Sequence, residues 1–130
     1  MAYASGFFKL QGEDHVQSVV EEARRCRDAG FRAMKMRIGF GREQDERIVA
    51  AVREAVGDDI ALAADVNLGY DVPTAIEVGL RLQAYDLLWY EEPIAADDID
   101  GYCAIREALS MRIAGAEGLS GLRSFRQMVQ

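Results

Sequence analysis

Residues 60–93, IALAADVNLGYDVPTAIEVGLRLQAYDLLWYEEP, decide the fold class. The stretch opens with an apolar run of strand length, residues 60–67, and closes with a second, residues 86–92, stopped by Pro93. Between them Asp71 is placed to cap a helix, and Pro73 falls in its first turn, where a missing N–H does no harm. The helix then runs to about Ala84. Two strands separated by a helix of that length pair in parallel through a right-handed crossover.

The same unit recurs on both sides. Upstream, residues 33–39 (AMKMRIG) read as a strand. A helix over residues 43–56 follows, burying Ile48, Val49, Val52, Ala55 and Val56, and Gly57 closes it. Before that, a short strand around residues 3–8 (YASGFF) leads to a helix over residues 15–29. Its apolar face is Val16, Val19, Val20, Ala23 and Cys26, with Asp14 as the starting cap and Gly30 after the end. Downstream, a helix over residues 99–109 precedes a fifth strand, residues 111–117 (MRIAGAE), and the tail GLSGLRSFRQMVQ begins another helix. No linker or composition shift divides the chain, so the class is α/β with a parallel sheet. A complete parallel barrel takes eight βα units and roughly 250 residues. This chain holds four units, one more strand and part of a helix that reaches Gln130 with no terminating Gly, Asn or Pro. The expectation is about half of a TIM-like (β/α) barrel, strands 1–5, as one partial domain over residues 1–130. A compact doubly wound sheet with helices on both faces is the alternative.

Composition narrows the function. Of 130 residues, 50% are hydrophobic and 28% charged, the balance of a globular domain. Fifteen Lys and Arg face 22 Asp and Glu, a net charge of −7 that repels phosphate backbones and anionic lipid. Neither nucleic acid nor a membrane is an expected partner. No apolar run approaches the roughly 20 residues of a membrane span, and no signal peptide is visible, so a cytoplasmic location is expected. Cys26 and Cys103 read as reduced packing residues, and Met34 and Met36 as core. Trp89 fills the space on the other side of the sheet, and His15, the single histidine, is an exposed helix-start residue without a role. The acidic run Asp97, Asp98 and Asp100 is charge at a helix start.

The informative charges lie inside the strands. Arg37, Asp65, Glu91 and Glu117 fall at the C-terminal ends of strands two to five, 28, 26 and 26 residues apart, one βα unit each time. That edge is where parallel α/β sheets bind ligands. Alternation sets Lys35 and Arg37 opposite the apolar Met34, Met36 and Ile38. It groups Asp65 and Asn67 with Ala61 and Ala63, Glu91 with Trp89, and Glu117 with Ile113 and Gly115. With strands about 4.8 Å apart, Asp65, Glu91 and Glu117 would converge on a region about 10 Å across. Three anions so close call for a cation between them, and oxygen ligands without His or Cys favour Mg²⁺.

At these residues the chain resembles the enolase superfamily, and within it the mandelate racemase and muconate lactonizing enzyme group. The similarity runs through GFRAMKMRIG, VGDDIALAADVN, YDVPTAIEVGLRLQAYDLLWYEEP and AGAEG. It implies a capping domain and three further βα units outside this chain. It also implies Mg²⁺ ligands at Asp65, Glu91 and Glu117, a substrate-facing Asn67, and a supporting role for Glu92, the second Glu of the EEP motif. The implied chemistry is abstraction of a proton α to the carboxylate of a small molecule such as an acid sugar, giving an enediolate, as in dehydratases, racemases and cycloisomerases. Lys35 and Arg37 match the group's Lys-x-Lys motif as catalytic residues. Arginine is a poor proton acceptor, however, so Arg37 is expected to stabilise negative charge or hold substrate. The group's His base belongs to a later strand, and this chain alone is expected to be inactive. Its exposed sheet edges predict a homodimer or higher oligomer. The rival reading is a non-catalytic half-barrel serving as an interaction or assembly module.

Overall fold

The computed structural model describes residues 2–8 and 14–129. The chain forms β1 (Ala4–Gly6), α1 (His15–Asp28), β2 (Ala33–Arg37), α2 (Arg42–Val56), β3 (Ala61–Asp65) and α3 (Val72–Leu82). A 3₁₀ turn, Gln83–Tyr85, extends α3 before β4 (Leu87–Glu91), α4 (Ile99–Ala108), β5 (Ile113–Ala114) and α5 (Leu122–Met128). All neighbouring strands pair in parallel, in the order β1-β2-β3-β4-β5. Sequential order is that of a (β/α) barrel and not of a doubly wound sheet, whose strand order reverses at a switch point.

Asp14 and Asp71 cap their helices as expected, and Asp98, expected only as helix-start charge, is a cap as well. Asp14 accepts from the Val16 and Gln17 amides, Asp71 from Thr74, and Asp98 from Gly101. Each satisfies amides that the first turn leaves without partners. The core lies between the sheet and the helices. Met34, Met36 and Ile38 from β2 and its exit meet Leu62, Ala64 and Val66 from β3 and its exit, with Tyr90 from β4. Ile48, Val49 and Val52 of α2 and Ala75, Val78 and Leu82 of α3 close over them. Gly79 in α3 makes room for Leu109, whose Cδ1 lies 2.3 Å from where a Cβ would stand.

Two side chains differ from expectation. His15 is buried, its ring edge-on to Phe40 at 4.8 Å, because the loop after β2 folds across the start of α1. Cys103 is exposed instead of packed, whereas Cys26 is half-buried against the core. Among the described residues, no helix is long and apolar enough to cross a membrane.

Candidate active site

Register brings the charged strand ends level. Arg37 pairs with Asp65, Asp65 with Glu91, and Glu91 with Ala114. Between β3 and β4 the register shifts: Leu62 pairs with Leu87 and Ala64 with Tyr90, so β4 carries one extra residue. This bulge sets Glu91 level with Asp65, where the register begun at Leu62 and Leu87 would otherwise have placed Tyr90.

Lys35 and Arg37 project from the sheet face opposite the helices, as alternation requires. Lys35 pairs with Ala63, whose small side chain leaves room for the lysine stem. Its Nζ donates to Asp65 Oδ2 at 3.0 Å and to Glu91 Oε1 at 2.7 Å. Asp65, only 3% exposed, also accepts the Asn67 amide on Oδ1 at 2.9 Å. Glu91 Oε2 accepts the Trp89 indole N–H at 2.6 Å, and that ring stands edge-on to Tyr3 at 5.6 Å. Trp89 therefore does more than fill space, because it orients a carboxylate. The Arg37 guanidinium lies 3.9 Å from Asp65 Oδ2, with its central carbon 5.5 Å from the Phe8 ring centroid. Burial works against the charge on Lys35, but the bonds to Glu91 and Asp65 outweigh it and hold its pKa above the ordinary value. Lys35 is thus a cation shared by two carboxylates.

Glu117 occupies a different place. The strand expected over residues 111–117 extends only from Ile113 to Ala114. At Gly115 a Cβ would stand 2.7 Å from the Tyr102 hydroxyl, and Ala116 turns the chain with φ +87°. Ile113, level with the buried Tyr90, faces the helices and does not share a face with Asp65 and Glu91. Glu117 follows in the loop, exposed, and its amide donates to Glu92 Oε1 at 3.0 Å. Glu92 is itself buried, in left-handed conformation at φ +44°, and its Oε2 has no hydrogen-bond partner among the described residues. Burial first, and then the neighbouring Glu117, push its carboxyl above the usual range. Asn67 sits exposed at the exit of β3 with φ +54°.

The structure thus joins Lys35, Asp65 and Glu91, sets Arg37 and Asn67 beside them, and links Glu117 to Glu92. Among the described residues, no group of three or more His, Cys, Asp or Glu side chains is arranged to hold a metal ion. The donor chemistry nonetheless fits Mg²⁺. Asp65 and Glu91 are hard oxygen donors already gathered around one positive charge, and Glu92 leaves a buried carboxylate oxygen unused beside Glu117.

Sequence reading passed over Asp45. It lies one turn before Ile48 and Val49 on the buried stripe of α2 and is fully buried. That continuation of an apolar stripe by an acid was the available signal.

Residues 18–130 match the sequence profile of the enolase C-terminal domain-like family. D-galactarolactone cycloisomerase of Agrobacterium fabrum is 42% identical over 120 residues, covering 92% of this chain and 32% of that protein. The crystal structure of a racemase from Streptomyces coelicolor A3(2) with bound magnesium superimposes with a TM-score of 0.89 at 36% identity. It covers 98% of this chain and 35% of the racemase. L-talarate/galactarate dehydratase from Salmonella typhimurium LT2, liganded with Mg and L-lyxarohydroxamate, gives 0.88 at 32% identity over 98% and 32% of the two chains. This chain spans about a third of the length of these relatives. Matched strand ends, sequential sheet order and the sequence profile agree: the chain belongs to the enolase C-terminal domain-like family, as part of its (β/α) barrel.

Proposed function

We propose that this chain supplies the metal-binding and cation-bearing part of an active site that removes the proton α to the carboxylate of an acid sugar. Asp65, Glu91 and Glu117 would hold Mg²⁺. The observation that carries the reading is the Lys35 ammonium between Asp65 and Glu91 at level strand ends. These two carboxylates gather around positive charge at the ligand-binding edge of a parallel sheet. Magnesium, when bound, offsets the negative charge that develops on a substrate carboxylate as its α-proton leaves.

The chain's own residues do the rest. Lys35 and Arg37 place two fixed positive charges beside that carboxylate, and a dry, preorganised setting makes such charges count for more than they would in water. Neither is placed as a proton acceptor in this arrangement: Lys35 is a donor shared by Asp65 and Glu91, and guanidinium does not deprotonate. The base therefore comes from a later part of the barrel, and the 130-residue chain binds without turning over. Asn67, at the exit of β3, meets substrate hydroxyls. Glu92 seats the Glu117 loop through the Glu117 amide. The short edge strands β1 and β5 favour self-association, which sedimentation velocity tests by seeking a species twice the 14.4 kDa chain.

Calorimetric titration of the chain with MgCl₂ decides the central point. Saturable binding is expected, weakened at least tenfold by Asp65→Asn and by Glu91→Gln. A wild-type chain that takes up no magnesium, or variants that bind it equally well, would overturn the proposal and favour the assembly-module reading.

A further inference from the structure

Asp45 has no place in the chemistry above, yet it is a fully buried acid, and burying a carboxylate is costly unless its lone pairs are used. Here they are. Oδ2 accepts the Gly39 amide at 2.8 Å and the Tyr70 hydroxyl, and Oδ1 accepts the Phe40 amide at 2.9 Å. The Tyr70 oxygen in turn accepts the Gly41 amide at 3.1 Å. Three consecutive amides of the loop leaving β2 are thus held by one acid on α2 and one phenol from the loop leaving β3.

Both loops adjoin the candidate site. The first begins two residues after Arg37, and the Ile38 amide donates to the Asp65 carbonyl at 2.9 Å. Gly39 passes so close to β3 that a Cβ would lie 2.6 Å from the Val66 carbonyl oxygen, and its φ of +99° suits glycine alone. The second loop carries Asn67, whose amide is bonded to Asp65 Oδ1. It is seated on the third loop by Leu68 and Tyr70 amides donating to the Glu92 and Pro93 carbonyls at 2.7 and 3.1 Å. Asp45 and Tyr70 join the first loop to this series.

We propose that Asp45 and Tyr70 form a positioning pair that locks the β2 exit loop onto the β3 exit loop, setting how Arg37 approaches Asp65 and how Asn67 is presented. Neither side chain is hydrogen-bonded to a candidate metal ligand, so the pair acts through backbone placement. Its effect on metal binding rests on the reading given under Proposed function, but the lock itself does not.

Amide hydrogen exchange on the ¹⁵N-labelled chain tests it. In the wild type, Gly39, Phe40, Gly41 and Asn67 are expected to open as one unit, with protection factors within threefold of each other. Tyr70→Phe removes a single oxygen. It is expected to speed exchange at least tenfold at Gly41 and at least threefold at Asn67, and Asp45→Asn to act in the same direction. Arg53→Gln, at the opposite rim of the sheet, serves as a destabilised control and is expected to leave the ratio of Asn67 to core protection unchanged. Independent opening of Asn67 in the wild type overturns the lock, as does wild-type Asn67 protection in Tyr70→Phe. In a parallel magnesium titration, Tyr70→Phe is expected to weaken binding three- to tenfold and Arg53→Gln to leave it unchanged. Absence of wild-type magnesium binding would sink the functional reading and leave the exchange result to decide the lock.

Discussion

The two rims of the sheet use charged side chains in opposite ways. At the N-terminal rim, Arg53 of α2 donates to the carbonyls of Gly57, Ile60, Tyr85 and Asp86 at 2.7 to 3.2 Å, so one guanidinium satisfies the turns entering both β3 and β4. Arg27 does the same for Ala55 at 2.8 Å. At the C-terminal rim the buried charges are acids, Asp45, Asp65 and Glu92. Among the described non-glycine residues, the backbone there takes positive φ at Phe7, Asn67, Leu68, Glu92 and Ala116, against Asp86 alone at the N-terminal rim. Each such residue costs on the order of 1 kcal/mol. One rim closes the fold; the other holds charge in place at the expense of stability, which is where strain is expected if chemistry occurs there.

The sharpest way to break this contrast is Lys35→Met, which leaves Asp65 and Glu91 facing each other without their shared cation. A loss of about 3 kcal/mol is expected in urea melts without divalent ions, as for a buried pair that loses one partner. Added Mg²⁺ should recover more stability in this variant than in the wild type. Next is Arg53→Ala at the other rim. It is expected to cost about 2 kcal/mol, because four carbonyls lose a charged donor but water can reach some of them. Magnesium affinity should not change. Removing the helix cap with Asp71→Ala should lower stability in the same assay by less than Arg53→Ala does.

The smallest effect expected is a slope. Burial holds the Asp45 carboxyl above its ordinary value of 3.8, against the opposing pull of the Tyr70 hydroxyl, the Phe40 and Gly39 amides, and His15 on α1. A carboxyl raised on folding binds its proton more tightly in the native state. Its stabilising contribution is therefore complete below about pH 4, the range of an unperturbed Asp, and declines as pH rises through the folded value. Stability of the wild type relative to Asp45→Asn should fall as pH increases from 3.5 to 7 in paired urea titrations. A flat difference would mean that the amides and hydroxyl fully offset burial.

Much of this was readable in the residues themselves. Helical spacing from Val16 to Cys26 and from Ile48 to Val56, and alternation in AMKMR and ALAAD, gave the elements. The repeat of about one βα unit aligned Arg37, Asp65 and Glu91. What escaped were features set by backbone turns and by contacts distant in sequence. Equal spacing placed Glu117 level with Glu91, but left-handed Ala116 and the Tyr102 hydroxyl above Gly115 take the chain out of the sheet first. Alternation put Lys35 on the correct face, where an ion network with the strand-end acids was one reading of it, and its bonds to Asp65 and Glu91 form that network. His15 looked like an exposed helix-start residue because nothing in its own segment announces Phe40 lying across it. Asp45 belongs to no motif, although its place on the Ile48–Val52 stripe marked it for burial.

Sequential strand order carries a consequence for how such a molecule can change over evolutionary time. Lys35, Asp65 and Glu91 stand on β2, β3 and β4, each flanked by a hydrogen-bonded neighbour on both sides, while the margins are strands of only three and two residues. Whatever is joined to either margin meets a core trio whose distances are already settled. New loops and new reactive groups can thus be recruited at the periphery while the inner charge arrangement is inherited unaltered.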